Sequence, residues 1–228
     1  MPEMDVRQGL VDRNCLYLDT GAQFVGISGK HLAGYCNIDP ALTDVQFLSD
    51  VSEMLIEPYL DADVEAVLSA ATGAIPIGHI AALKLIEATG NQSITAAWGD
   101  KIKPRGFVLE RSGFAEAISG RRVLILEDMI NQMFSASELV RIAQEEGADI
   151  VGVGSVAANR GVSAESLGVP RFDALCEVYY EAFTPEDCAD HGMCSEGVPI
   201  VVDEALGHGA EYREEHPDYT GGFIELTA

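Results

Sequence analysis

The chain has 228 residues and a formal net charge of −23, from 14 lysines and arginines against 37 aspartates and glutamates. A hydrophobic content of 47% is that of a globular protein rather than of a disordered acidic chain. An acidic surface repels the phosphates of nucleic acids and anionic lipids, which argues against both as partners. The length predicts one large domain or two small ones.

The first residues of the sequence do not predict an export signal. Residues 1–14 contain acids and lack an apolar stretch after a basic start. No apolar run approaches the roughly 18 residues that a membrane-spanning helix requires. The cysteines are odd in number and scattered, unlike a disulfide framework: Cys15, Cys36, Cys176, Cys188 and Cys194. We therefore expect a cytoplasmic protein without a transmembrane helix.

Strand-like apolar runs alternate with helical patterns along most of the chain. Residues 43–60 have helical periodicity and are expected to pack as an N-terminal hood. Gly90 is the expected end of the first helix of the alternating part. That part comprises, in chain order, a strand at 64–70, a helix at 78–90, strands at 93–98 and 123–127, a helix at 135–147 that opens with serines suited to capping, and a strand at 148–157.

Strands that alternate with helices of this size predict an α/β fold. We expect a Rossmann-like central parallel sheet, flanked by helices and connected by right-handed crossovers. After residue 180 the sequence changes to short turns, acids and glycines. The prediction is one compact domain in three parts: the hood at 1–62, a core at 63–182 and a C-terminal appendage at 183–228.

Two adjacent acids, Glu127 and Asp128, end a buried strand and precede a serine-rich helix start. Ligands of open parallel sheets bind beyond the carboxyl ends of the strands. Carboxylates there can accept hydrogen bonds from vicinal hydroxyls or face a cation, and a helix N-terminus suits a phosphate. The segment thus fits a ribose 5-phosphate site, although acids that merely end a strand in an acidic protein have the same spacing.

The segment VLILEDMINQMFS, residues 123–135, resembles the 5-phosphoribosyl pyrophosphate (PRPP) signature of type I phosphoribosyltransferases. That signature has four apolar residues, two acids, two apolar residues and the sequence TTGGS. Further segments are similar to elements of orotate phosphoribosyltransferases, in the same order: SGKHLAGYCN (28–37), SAATGAIPIG (69–78), WGDKIKPRGFVLERSGF (98–114), SVAANRG (155–161) and CSEGVPI (194–200). The chain is therefore identified as a divergent member of that family.

The resemblance implies a transferase of pyrimidine biosynthesis, a homodimer, that passes ribose 5-phosphate from Mg²⁺-bound PRPP to a pyrimidine base. The expected base is orotate, which gives orotidine 5′-monophosphate and pyrophosphate. Glu127 and Asp128 would hold the ribose hydroxyls, and Asp128 is counted among the catalytic residues. Two loops would hold the phosphates: Ala71, Thr72, Gly73 and Ala74 for pyrophosphate, and Asn131, Gln132, Met133, Phe134 and Ser135 for the 5′-phosphate.

Basic residues gather between positions 101 and 122, where six lysines and arginines accompany two glutamates. A basic island in an acidic chain suits a polyphosphate, and a mobile loop could close it over the substrate. By resemblance, Lys101 and Lys103 are expected to be catalytic and Arg105 to bind substrate. Arg121 and Arg122 are expected only to flank a strand, whereas scattered surface cations are the alternative for the whole island.

The remaining substrate contacts are assigned by resemblance. Lys30 would lie near the base or the pyrophosphate. Arg160 would face the carboxylate of orotate, because a planar guanidinium can donate two hydrogen bonds to it. Asn159 stands where the family usually has aspartate.

Cys188, His191 and Cys194 have a spacing that could supply three zinc ligands. Cys176 or His208 could be a fourth. Reduced cysteines without a metal are the alternative interpretation.

Two other functions stay open. A catalytically degenerate phosphoribosyltransferase fold could bind a nucleotide or PRPP as a sensor, since Met133 and Phe134 replace both glycines of TTGGS. An unrelated doubly wound α/β protein with a phosphate site is the other alternative, and it predicts no affinity for PRPP.

Overall fold

The computed structural model describes residues 4–26, 28–102, 106–131 and 133–226. The helices are α1 (Val6–Val11), α2 (Val45–Ile56), α3 (Ala74–Thr89), α4 (Phe114–Ile118), α5 (Phe134–Glu145), α6 (Ala164–Leu167), α7 (Pro185–His191) and α8 (Gly209–Glu215), with 3-10 turns at Asp39–Thr43, Glu57–Tyr59 and Glu204–Leu206. The strands are β1 (Leu16–Tyr17), β2 (Phe24–Val25), β3 (His31–Leu32), β4 (Tyr35–Cys36), β5 (Ala66–Ala70), β6 (Thr95–Lys101), β7 (Phe107–Val108), β8 (Arg122–Ile130), β9 (Asp149–Asn159), β10 (Phe172–Val178), β11 (Ala182–Phe183), β12 (Ile200–Val201) and β13 (Phe223–Ile224). Among these residues, no helix is both long and apolar enough to cross a bilayer.

The chain divides into two compact units, each assembled from two separate segments. The first unit contains the residues up to Gly9 together with Ile38–Val178. The second unit contains Leu10–Asn37 together with the chain from Tyr179 onward. The predicted boundaries at 62 and 182 are a different division of the chain, and they stay a prediction.

The first unit is built on a six-stranded sheet in the order β10-β9-β8-β5-β6-β7. Its pairings are parallel except the last, in which β7 runs antiparallel to β6 at the edge. The predicted α/β fold with a central parallel sheet is therefore confirmed. The strand predicted to stop at the acids continues to Ile130, because its pairing with β9 extends to Ala158.

Helices pack on this sheet through apolar faces. Helix α3 ends at Gly90, whose left-handed φ of 75° lets the chain turn, as predicted. Helix α2 begins at the cap Asp44, whose carboxylate accepts hydrogen bonds from two backbone N–H groups. The hydroxyl of Ser52 on α2 donates to the carbonyl of Ile77 on α3. The helical segment predicted at 43–60 is thus packed within the first unit.

Helix α5 begins differently from the prediction. Its N-cap is Met133, with a left-handed φ of 54° and no side-chain cap. The side chain of Met133 packs against the apolar core of the first unit. Because this residue turns the chain into the helix, Ser135 already lies inside the first turn, and the predicted serine cap is wrong.

The second unit contains small sheets. Strands β11, β3 and β2 form an antiparallel sheet in that order, β1 pairs with β4 antiparallel, and β12 pairs with β13 parallel. Gln23 bridges to Ile200, so the hairpin β2–β3 is tied to β12. Phe24, Leu32 and Ile200 are completely buried and form part of this unit's interior.

Candidate functional site

Glu127 and Asp128 lie in the second half of β8, a central strand that pairs with β5 on one side and β9 on the other. Glu127 lies opposite Ser155 of β9 and is only 2% exposed, whereas Asp128 is half-buried. The Oε1 atom of Glu127 is buried and has no hydrogen-bond partner among the residues that the structure describes. The acid pair therefore contains a buried acceptor that a ligand could satisfy.

The surroundings of Glu127 and Asp128 destabilise the charged form of both carboxyl groups. Burial raises the pKa of Glu127 well above its usual value, and the neighbouring Asp128 raises it further. Lys101 acts on the same carboxyl in the opposite direction. Burial raises the pKa of Asp128, although hydrogen bonding to the backbone at Met129 opposes the rise. A ligand that brings hydroxyl donors or a cation would stabilise the charged form of both acids.

The loop between β5 and α3 reaches this acid pair. A Cβ atom at Gly73 would overlap Oδ2 of Asp128 and lie 2.7 Å from its Cγ. The loop is anchored by the N–H of Ala71, which donates to the carbonyl of Gly99 across 3.0 Å. Thr72 is exposed, and Ala74 begins α3. The structure thus brings the predicted pyrophosphate loop against the predicted ribose acids, and a glycine at 73 makes the approach possible.

The loop after β8 is joined to the neighbouring strand. The side-chain amide of Asn159, at the end of β9, donates to Oδ1 of Asn131 across 3.1 Å. Met133, Phe134 and Ser135 follow as the cap and first turn of α5. Gln132 lies outside the described residues. Asn131 and the start of α5 therefore follow directly on the strand that carries the acids.

The basic residues between 101 and 122 have different environments. Lys101, the last residue of β6, is exposed and acts electrostatically on Glu127. Arg111 forms a two-point ion pair with Asp100, at 2.5 and 3.0 Å, and its guanidinium lies 5.0 Å from the centre of the Trp98 ring. Lys103 and Arg105 lie outside the described residues, between β6 and β7.

Arg121 and Arg122 lie at the start of β8, away from its carboxyl end. Arg121 donates to the carbonyl of Ser93, while Arg122 donates to the carbonyl of Ala62 and pairs with Asp149 at 2.9 Å. These bonds fit the expectation that both residues only flank a strand. The basic island is therefore divided, and Lys101 is its described member that lowers the pKa of Glu127.

The two residues assigned to the base lie in different units. Arg160, just after β9, pairs with Glu177 at 3.5 Å, and both side chains are 66% exposed. Lys30 belongs to the second unit, in the turn between β2 and β3, where its carbonyl accepts from the N–H of Gly26. Their roles at the base stay predictions.

The cysteine and histidine cluster differs from the predicted one. Cys188 and Cys194 come together as predicted, but His31 joins them, with its ligand atom and theirs all within 4.8 Å of one another. His191, at the end of α7, is exposed to solvent. Cys188 of the same helix is completely buried. The structure therefore replaces His191 by His31 in this cluster. His208 lies beside Glu211, and Cys176 is a residue of the first unit.

Three contacts near the acid pair and the cysteine and histidine cluster were not predicted from the sequence. The bond between Asn131 and Asn159 had a signal, since both positions depart from the family pattern. The pairing of Asp100 with Arg111 could be suspected from opposite charges on two segments that form a hairpin. Gln23, which contacts the cysteine and histidine cluster, had no signal because it is far from the other members in the sequence.

The chain is similar to several curated proteins over most of its length. It is 29% identical over 192 residues to the orotate phosphoribosyltransferase of Caldicellulosiruptor bescii, covering 82% of this chain and 92% of that protein. It is 28% identical over 199 residues to the orotate phosphoribosyltransferase of Desulforamulus reducens, covering 86% of this chain and 95% of that protein. No family model matches the chain.

Solved structures with the same fold carry the same name. The orotate phosphoribosyltransferase of Aeropyrum pernix superposes with a TM-score of 0.58 at 19% identity, covering 77% of this chain and 94% of that one. The Mycobacterium tuberculosis H37Rv enzyme in complex with PRPP gives 0.53 at 21% identity, covering 75% and 96%. The fold is that of the type I phosphoribosyltransferases, and the resemblance to orotate phosphoribosyltransferases is confirmed.

Proposed function

We propose that this protein is a phosphoribosyltransferase that converts PRPP and orotate to orotidine 5′-monophosphate and pyrophosphate. Its fold and its relatives named orotate phosphoribosyltransferase support this function. The observation that carries the proposal is the buried Oε1 of Glu127, which has no partner in the described part of the chain and lies beside Asp128, near the carboxyl end of a central strand. Such a position is where open α/β sheets bind their ligands. The vicinal hydroxyls of ribose supply a donor for Oε1 of Glu127.

The substrate phosphates lie on the two loops beside the acids. The loop of Ala71, Thr72, Gly73 and Ala74 would receive the pyrophosphate, because the missing side chain of Gly73 lets the backbone approach Asp128 closely. The 5′-phosphate would lie at Asn131, Gln132, Met133, Phe134 and Ser135, where α5 begins. A helix N-terminus presents backbone N–H groups and the positive end of its dipole to an anion.

Mg²⁺ accompanies PRPP in this proposal. Glu127 and Asp128 fit this ion because carboxylate oxygens are the ligands that a hard divalent cation prefers. Glu127 offers a buried oxygen without a partner among the residues that the structure describes, and Asp128 is its immediate neighbour. When bound, the ion neutralises part of the negative charge on the diphosphate.

The reaction breaks the bond between ribose C1 and the pyrophosphate oxygen, whose electron pair leaves with the pyrophosphate. A ring nitrogen of the base then forms the new bond to C1 and releases its proton to water. Because positive charge develops on the ribose, the residues act by positioning and by electrostatics rather than by covalent catalysis. Lys101 would stabilise the leaving pyrophosphate, and Lys103 and Arg105 share this proposed role.

The base would be held by charged side chains that match the carboxylate of orotate. Arg160 is exposed and pairs with Glu177 at 3.5 Å, a surface contact that contributes little. Its planar guanidinium can donate two parallel hydrogen bonds to a carboxylate. Lys30 is proposed as the second cation for the base or the pyrophosphate.

The test is an assay of pyrophosphate release with PRPP and Mg²⁺ against orotate, uracil and purine bases. We expect turnover with orotate, and a fall of at least about 10²-fold in kcat/KM for the double variant Glu127→Gln, Asp128→Asn. The matched control is Glu87→Gln, an exposed acid on α3, which should leave kcat/KM unchanged. No turnover with any base would refute the proposal.

The same samples distinguish the enzyme from a sensor. A sensor would bind PRPP or a nucleotide in a calorimetric titration without releasing pyrophosphate. Its supporting observation is Met133, which fills the position of a family glycine and packs into the core. If neither binding nor turnover is seen, the ribose phosphate site itself is wrong.

Compartment and assembly are part of the proposal. The five cysteines are free thiols, which suits a reducing cytoplasm. A homodimer is expected from the family resemblance, and light scattering of the purified chain measures it. An acidic surface makes nucleic acid an unsuitable partner.

A further inference from the structure

Four side chains of the second unit converge at one buried point. The potential ligand atoms of His31, Cys188 and Cys194 all lie within 4.8 Å of one another. Gln23 reaches the same point with its Oε1 atom. Gln23, His31 and Cys188 are completely buried, and Cys194 is half-buried. Buried polar groups at this density require an explanation, because each costs free energy unless it is satisfied.

Hydrogen bonding alone satisfies the cluster poorly. Oε1 of Gln23 lies 2.8 Å from Nδ1 of His31, 3.5 Å from Sγ of Cys188 and 3.6 Å from Sγ of Cys194. Three donors thus converge on one carbonyl oxygen, which has two lone pairs. One divalent cation in place of the two thiol protons would relieve this crowding.

Three of the separations match those of ligands around a single ion, whereas the 2.8 Å between Nδ1 of His31 and Oε1 of Gln23 is a hydrogen-bond distance that would lengthen by about 0.5 Å on metal binding. Donors at roughly 2.0–2.3 Å from a tetrahedral zinc ion are about 3.3–3.8 Å from one another. Nδ1 of His31 lies 3.3 Å from Sγ of Cys194, and the two sulfurs lie 3.5 and 3.6 Å from Oε1 of Gln23. Two thiolates and an imidazole are the ligands that zinc prefers in proteins.

We propose that His31, Cys188 and Cys194 bind one Zn²⁺ ion, with Oε1 of Gln23 at the fourth position. Hydrogen bonds from neighbouring groups hold these side chains in position, as hydrogen bonds to the ligands do in other metal sites. The side-chain amide of Gln23 donates to the carbonyl of Val198 at 2.8 Å and to the hydroxyl of Tyr219 at 2.9 Å, so its oxygen faces the cluster. The N–H of Cys194 donates to Sγ of Cys188 at 3.2 Å.

The ion would connect two distant parts of the sequence. Gln23 and His31 come from the N-terminal segment of the second unit, whereas Cys188 and Cys194 come from its C-terminal segment. Four protein ligands leave no position open for a substrate, so the site is structural rather than catalytic. The inference is independent of the proposed transferase reaction, since the residues that carry it have no assigned role there.

The first measurement is the metal content of the full chain, purified without chelator under reducing conditions. We expect about one zinc per chain in the wild type and in His191→Gln. We expect at least about a tenfold loss of zinc in His31→Gln and in Cys194→Ser. His191→Gln is the matched control because His191 is the histidine that sequence spacing favours and lies exposed on the same helix as Cys188.

A second measurement uses the wild type alone and does not depend on how the variants fold. Cobalt exchanged into the protein should give the visible absorption of a tetrahedral ion with thiolate ligands, and zinc should protect Cys188 and Cys194 from alkylation. Neither metal uptake nor protection, or a disulfide between Cys188 and Cys194 in the metal-free protein as purified, would overturn the proposal. Loss of zinc in His191→Gln but not in His31→Gln would overturn the assignment of His31.

Discussion

The side-chain amide of Asn159 donates a hydrogen bond to Oδ1 of Asn131 across 3.1 Å, which joins the end of β9 to the residue after β8. Both positions depart from the family pattern, in which aspartate and threonine are usual. Together the two amides supply a donor and an acceptor, so each departure accounts for the other. The loop proposed for the 5′-phosphate therefore starts from a residue that a second strand holds.

Removing this bond should weaken PRPP binding. Asn159→Ala deletes a hydrogen bond worth about 1 kcal/mol, so we expect the KM for PRPP to rise roughly fivefold with little change in kcat. Asn159→Asp should stay within about twofold of the wild type, because the amide of Asn131 can turn its donors toward a carboxylate. Steady-state kinetics measures both. An equal effect of the two variants would show that the hydrogen bond is not the cause.

Alanine at position 73 should displace the acid beside it. Gly73 has φ −61° and ψ −37°, which alanine adopts without strain, so the effect would come from overlap with Asp128. We expect kcat/KM to fall by about 10²-fold, since small misplacements of reacting groups have such effects. Chemical denaturation gives the control: Gly73→Ala should destabilise the wild type but not the Asp128→Ala variant. Additive effects on stability would contradict the predicted overlap.

Glutamine at position 127 should stabilise the protein while it removes activity. The pKa of Glu127 is raised in the folded state, so the wild type loses stability as pH increases from about 4.3, the unfolded value, toward the folded value. The amide has no proton to lose. We expect Glu127→Gln to exceed the wild type in free energy of unfolding by about 1–3 kcal/mol at neutral pH, with a smaller difference at pH 4. Denaturant titrations at several pH values measure this, and a constant difference would exclude the raised pKa.

Two basic residues of the same island should behave differently. Lys101 acts on Glu127, whereas Arg111 is held by Asp100 and by the ring of Trp98. We expect Lys101→Gln to lower kcat about 10- to 100-fold, because it removes a positive charge from the leaving pyrophosphate. Arg111→Gln should lower the thermal midpoint slightly and leave kcat within about twofold. A comparable loss of kcat in Arg111→Gln would show that Arg111 also contacts the substrate.

Local patterns predicted most of the first unit. Gly90 ends its helix as expected, and the apolar run before Glu127 is a buried strand. The pattern did not show that the strand continues past the acids, because that depends on pairing with β9. The left-handed cap at Met133 could not be predicted either, because it depends on the packing of this side chain against the core.

The cysteine and histidine cluster shows the limit of spacing arguments. His191 and Cys188 are three residues apart, but α7 exposes the first and buries the second. His31 reaches the cluster because β3 pairs with β11, in the register that places His31 opposite Phe183, shortly before α7. Only the pairing of distant strands reveals this neighbour, and a short sequence window contains no trace of it.

The construction of the second unit has a consequence during synthesis. Its first segment, Leu10–Asn37, leaves the ribosome long before its partner, which begins at Tyr179. At translation rates of about 5–20 residues per second, the intervening residues take roughly 7–30 s to be made. Strands β2 and β3 can pair with each other during that interval, but Leu32 lacks its second partner strand β11, and the Gln23 bridge to β12 is missing. We expect chaperones to bind such a nascent chain. A transcript truncated before the codon for Tyr179 would yield a protein prone to aggregate.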